Sequence, residues 1–245
     1  MIAFKTWVAA AAMVALSGVA QAALIDRGGG MIYDSTRNIT WLADMNYALS
    51  SGYAGANAGS TGSNQILTNG RMGWDAAVAW AGQLVYGGFS DWRLPMLNPA
   101  DTSCDNSFDP GGSFSIVYFG FNCTGGELSG LFVTDLGNKP RESVLNQEGD
   151  TAVQIANLAL FENEDGEQTV QPFGYWSGTA DALDSGRAWI FGPSSFQGVT
   201  EKSNALRAVA VRPGDVATSV PEPQTLALVL LALGAKVVAR RKQPS

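Results

Sequence analysis

Histidine is absent from this 245-residue chain. Its absence removes the commonest general base, the Ser-His-Asp triad and every histidine-containing metal site. Carboxylate-pair chemistry remains open, but no Asp or Glu pair stands out by its spacing. Ser177, Ser194 and Ser195 have no imidazole to activate them. Basic residues are scarce, 15 Lys and Arg against 22 Asp and Glu, and several of them sit at the two ends. Between the ends, residues 23–219 hold 10 basic and 21 acidic side chains. An acidic surface without a basic stripe repels phosphate backbones, so nucleic acid is not an expected partner. Phosphate-binding glycine patterns are missing too. Gly28-Gly29-Gly30 is followed by no helix that would give it that meaning.

Cysteine is nearly absent. Cys104 and Cys123 are the only pair, and two thiols without histidine cannot complete a structural zinc site. In an oxidising compartment they are expected to close a disulfide, contributing roughly 3 kcal/mol in the chain-entropy model.

The ends supply the compartment. Lys5, an apolar run from Trp7 to Val19 and then Ala20-Gln21-Ala22 make a secretory signal peptide over 1–22, with cleavage expected after Ala22 by signal peptidase. No cysteine follows that site, which argues against a lipoprotein anchor. At the other end, residues 216–223 form a linker carrying Val220, Pro221, Glu222 and Pro223. The two prolines hold the backbone extended. Residues 224–245 follow as an apolar membrane helix and the basic cluster Arg240, Arg241 and Lys242, which stays on the cytoplasmic side. Lys236 interrupts the apolar run and must snorkel its charge to the interface.

This three-part ending resembles the PEP-CTERM sorting signal. The resemblance implies transient anchoring in the inner membrane, cleavage by an exosortase, and an address at the cell surface or beyond, in organisms that make extracellular polysaccharide.

Residues 23–215 form the candidate domain. Its opening, 24–34, reads as strand, glycine turn, strand, and Thr40-Trp41-Leu42 continues as a short strand. Residues 50–70 are rich in Gly, Ser, Asn and Ala and read as a long surface loop. Trp74, Ala77, Val78, Ala81 and Leu84-Val85 recur at three- and four-residue spacing, predicting a helix over 69–86 that Gly87-Gly88 stops. A second helix is expected over 127–136. Short strands are expected at 158–161, 175–177, 188–191 and 208–212. Two helices, few short strands and long loops describe an α+β domain.

Several elements occur in a specific order: Trp74 with Ala77, then residues 88–95 (Gly-Phe-Ser-Asp-Trp-Arg-Leu-Pro), then 175–179 (Tyr-Trp-Ser-Gly-Thr), then Ala188-Trp189 and Val211-Arg212-Pro213. This pattern resembles the Lcl C-terminal domain-like family over most of residues 30–213. The resemblance implies a C-type-lectin-like fold and extracellular binding or adhesion, and it carries no established catalytic residues. A collagen-like stalk, which the family's adhesin has, is missing here.

Three constellations are candidate sites. Trp92 and Arg93, beside Asp91, read either as a ligand-contacting turn or as core packing with capping charges. Tyr175, Trp176 and Trp189 offer aromatic faces on which a pyranose could stack, with core packing as the alternative. Glu162, Glu164 and Asp165 form the densest oxygen cluster, a calcium candidate whose spacing does not match an EF-hand loop. No cofactor is expected. The reading is a non-enzymatic surface or biofilm-matrix protein that binds glycan, with extracellular polysaccharide as the expected partner. A carboxylate-based glycoside hydrolase acting on exopolysaccharide, or a purely structural envelope component, are the alternatives.

Overall fold

The computed structural model describes residues 24–162, 168–170, 173–192 and 194–216. The expected signal peptide and sorting tail lie outside these residues. Among those described, no helix is long and apolar enough to cross a membrane.

The architecture is α+β. Strands β1 (Leu24–Asp26), β2 (Met31–Asp34) and β3 (Ile39–Leu42) form an antiparallel meander, and β9 (Val211–Pro213) closes against β3, giving the order β1-β2-β3-β9. The two ends of the domain therefore meet in one sheet. A second antiparallel sheet contains β6 (Tyr175–Ala180), β7 (Arg187–Phe191) and β8 (Gln197–Glu201) in chain order. A hairpin of β4 (Asn106–Phe108) and β5 (Val117–Phe119) forms a third, two-stranded sheet.

Residues 206–211 form the spine. Leu206 bridges Met72, Arg207 bridges Tyr175, and Val211 pairs with both Trp41 and Arg93. Side chains of an extended segment alternate in direction. Val209 and Val211 accordingly enter one apolar core with Trp41, Tyr175, Phe191 and Phe132, while Ala208 and Ala210 enter another with Leu42, Trp80, Trp92 and Trp176. Both sides of the spine are buried. That is why it reads as a continuous apolar run rather than an alternating one.

Helix α3 (Trp74–Gln83) is shorter than the apolar spacing predicts. Residues before it are held in extended pairing, Met72 with Leu206 and with Ile66, and Leu84 at its end is already extended. The buried face is Ala76, Ala77, Trp80 and Ala81, whereas Val78 and Val85 are exposed. The second predicted helix is present as α4 (Glu127–Ser129) continuing into a π-helical stretch, Gly130–Asp135. Arg37 passes so close to Gly130 that a β-carbon there would overlap its guanidinium. Arg37 bonds Asp34 and Asp135, each at 2.5 Å, tying this helix to the meander. Burial pushes the Asp135 carboxyl up from its ordinary range despite the guanidinium beside it.

Three further expectations are corrected. The long loop over 50–70 contains α2 (Tyr53–Asn57) and a 3-10 turn, after the short α1 (Tyr47–Ser50). The strand expected at 158–161 is the end of α5 (Ala152–Leu158) and the turn after it. Strands β4, β5 and β8 were not anticipated, because β4 and β5 are only three residues long and β8 is largely polar with a glycine inside it.

Candidate binding cleft

The aromatic residues singled out in the sequence are interior. Trp176 and Tyr175 are 0% exposed, Trp189 is 2% and Trp92 is 3%. The Trp176 indole N–H donates to the Met72 carbonyl at 2.8 Å, and Trp92 donates to the Tyr86 carbonyl at 3.3 Å. The Tyr175 ring packs on Phe132 at a centroid distance of 5.7 Å. Trp92, Tyr175 and Trp176 present no face to a sugar. The physical reason is their place in the strands: Tyr175 and Trp176 are neighbours, so they point into opposite cores.

Arg93 is likewise committed. Its guanidinium makes two 2.7 Å bonds to Glu127, which also accepts from the Met96 N–H. The hydrogen-bonded Glu127 carboxylate holds that guanidinium above its ordinary range. Asp91 pairs with Arg212, which lies 4.0 Å from the Phe89 ring centroid. The Arg212 guanidinium, hydrogen-bonded to Asp91, holds its carboxyl below the usual range. The Asp-Trp-Arg-Leu-Pro turn therefore joins α4, β9 and the second core, and its architectural reading is the one the geometry supports. Of the calcium candidates, Glu162 is exposed and bridges Gln168, while Glu164 and Asp165 lie outside the described residues. So do Val220, Pro221, Glu222, Pro223, Arg240, Arg241 and Lys242.

Exposed apolar surface gathers elsewhere, inside the cysteine-bounded loop. Cys104 and Cys123 form a disulfide with Cα atoms 4.2 Å apart. Both half-cystines are buried at the base of the β4–β5 hairpin. Asp101 completes that base, accepting from the N–H groups of Ser103, Thr124 and Gly125 and from the Ser103 hydroxyl. Burial raises the Asp101 carboxyl, but these donors outweigh it and leave it below the ordinary range. With two cysteines bonded to each other and the carboxylate fully engaged, this cluster is structural and not a metal site.

Above this base the hairpin leans over the β6–β7–β8 sheet. Phe108 and Val117 are cross-strand partners, and Phe119 lies two residues along from Val117, so all three share one face. On the sheet, Trp189 opposes Val199 and Arg187 opposes Glu201, again on one face. These two faces enclose a cleft of about 590 Å³, with Phe196 and Leu183 in its walls. A second hollow of about 330 Å³ adjoins it, reaching Pro99, Phe114 and Ile116. Both hollows share Val117, Asp181, Leu183 and Trp189, so they adjoin along these residues. Phe108 and Phe114 are each 55% exposed at their rim.

The polar groups cluster on one side, in the turn joining β6 to β7. Asp181 Oδ1 accepts from the Leu183 N–H and Asp184 Oδ1 from the Gly186 N–H, which fixes the turn and leaves each carboxylate a second oxygen. Arg187 stands 3.7 Å from Glu201, and its Nε makes no hydrogen bond among the described residues.

The sequence reading placed no residue of this cleft except Trp189, which forms its buried floor. One signal was available: Phe108, Phe114, Phe119 and Phe121 fall, with Ile116, Val117 and Tyr118, in a cysteine-bounded segment whose other residues are Gly, Ser, Asn, Asp and Pro110. No family model, characterised protein or solved structure matches the chain.

Proposed function

We propose that this chain is an exported surface or matrix protein whose domain binds extracellular glycan without cleaving it. The binding site in this reading is the cleft between the β4–β5 hairpin and the β6–β7–β8 sheet. The observation that carries it is the convergence of exposed Phe108, Phe114, Ile116 and Leu183 on two adjoining hollows with unspent polar groups at their edge. Monomeric surfaces rarely gather apolar side chains this way without a partner. Aromatic faces suit the polarised C–H face of a pyranose, and Asp181, Asp184 and Arg187 suit its hydroxyls. Burial of Trp176 and Tyr175 moves the binding surface without removing the function.

Hydrolysis fits less well. A glycosidase places its two carboxyl groups on either side of the scissile bond. Asp181 and Asp184 share one turn and one wall of the cleft. The signal peptide and the Val220-Pro221-Glu222-Pro223 tail support export, with signal peptidase and exosortase as processing partners and the inner membrane as a temporary stop.

A glycan array run with and without calcium tests the binding reading. Saturable binding with sugars recovered intact is the expected result, and shortened products would favour the hydrolase instead. Replacing Pro221, Glu222 and Pro223 with alanine should leave the protein in the inner membrane; unchanged release would remove the exosortase step.

A further inference from the structure

We infer that the cleft selects a cationic glycan, one whose sugars carry free amines in place of acetamido or carboxylate groups. This rests on the reading of the cleft as a glycan site and names which glycan it takes. The apolar part of the cleft is indifferent to charge, because Phe108, Val117, Phe119 and Leu183 offer only contact area. Selection falls to the rim.

There, Asp181 and Asp184 project from the β6–β7 turn, and Glu201 flanks the same turn across Gly186. Three carboxylates face one guanidinium, Arg187, so the rim is net negative. The pairing inside the rim is loose. Arg187 and Glu201 are 3.7 Å apart, and the Glu201 side chain is 62% exposed. Neither aspartate has an ion-pair partner among the described residues, since each spends one oxygen on a main-chain N–H. The remaining oxygens are acceptors at the edge of a low-dielectric wall, where an ammonium gains more than it would in open water.

The rest of the domain reinforces this sign. Residues 23–219 carry 10 basic and 21 acidic side chains, so the approaching polymer meets a negative field before it meets the cleft. A uronate polymer would be repelled by the same field. A neutral acetylated polymer would keep the stacking and lose the ion pairs. The Arg187 Nε is buried and turned toward Glu201, so the two aspartates are the groups left for the ligand.

Calorimetric titration of the mature protein with three oligosaccharides of equal length tests this: a glucosamine hexamer, its fully N-acetylated form and a uronate hexamer. The glucosamine hexamer should bind about 10-fold tighter than the acetylated one, and the uronate weakest of all. Raising the salt should narrow the gap. Asp181→Asn with Asp184→Asn keeps the Oδ1 acceptors of the turn and should bring the amine and acetyl forms within about 3-fold of each other. Equal affinity of the wild type for amine and acetyl forms would overturn this inference while leaving glycan binding intact. An amine preference undiminished in the double variant would also overturn it, because the attraction would then be diffuse. If no hexamer binds, the glycan reading itself fails.

Discussion

Gly120 and Gln197 exchange both main-chain hydrogen bonds, each at 2.8 Å. This pair is the hinge between the disulfide-bounded hairpin and the edge of β8. It brings the Phe108–Val117 face over Trp189 and Val199, and so sets the width of the cleft. Gly120 has φ of +106°, and a β-carbon there would run into Asp105 and Asn106. Gly120→Ala should therefore cost about 1–3 kcal/mol, read as a lower urea midpoint.

The disulfide should act on the same wall. Replacing Cys104 and Cys123 together with serine releases the ends of a loop with a sequence separation of 19. The expected loss is about 2–4 kcal/mol. Glycan affinity should fall at temperatures where the variant is still folded, because the hairpin face is no longer held in register. Unchanged affinity in the folded variant would show that the hairpin does not need its staple.

Buried and exposed aromatics should separate cleanly. Trp176→Ala removes a fully buried ring and leaves the Met72 carbonyl with the Leu206 N–H as its remaining donor. It should destabilise the domain by about 3–5 kcal/mol. Phe108→Ala, at a side chain 55% exposed, should leave stability within about 0.5 kcal/mol. The same change should weaken glycan binding by about 5-fold or more. Thermal unfolding and titration of both variants check the pair.

Acid should weaken the hairpin base. Asp101 titrates below its unfolded value near ~3.9. A carboxyl depressed in the folded state stabilises above that value and loses its contribution as pH falls through the folded pKa. Asp101→Asn removes this linkage. The variant should be less stable than wild type near neutrality, with the difference shrinking below about pH 4. Denaturant midpoints over pH 2 to 7 would show it.

Much of the scaffold was legible in the sequence. The hairpin at 24–34, the helix around Trp80 and the strands at Tyr175 and Trp189 announced themselves through glycine turns and apolar spacing. Helix α5 carries a signal of its own in the sequence. Thr151 and Gln154 form a capping box, with Thr151 Oγ accepting from the Gln154 N–H at 3.2 Å and Gln154 Oε1 accepting from the Thr151 N–H at 2.9 Å. The apolar run at 158–161 has the composition of a short strand, although Leu158 ends the helix that this cap begins.

The cleft was not legible, because its parts are distant in sequence. Phe108, Leu183 and Val199 share a depression only because the Gly120–Gln197 pair brings the hairpin to the sheet. Trp92, Tyr175, Trp176 and Trp189 misled for the opposite reason. A strand with both faces buried gives no alternation by which to tell a core tryptophan from a surface one.

The most direct measurement is a backbone NMR titration of the mature protein with a glucosamine hexamer, followed by mass analysis of the recovered sugar. Glycan binding at the cleft predicts saturable shifts concentrated at Phe108, Phe114, Asp181, Leu183 and Val199, with the hexamer intact. Shifts absent from these residues, or a shortened hexamer, would contradict it.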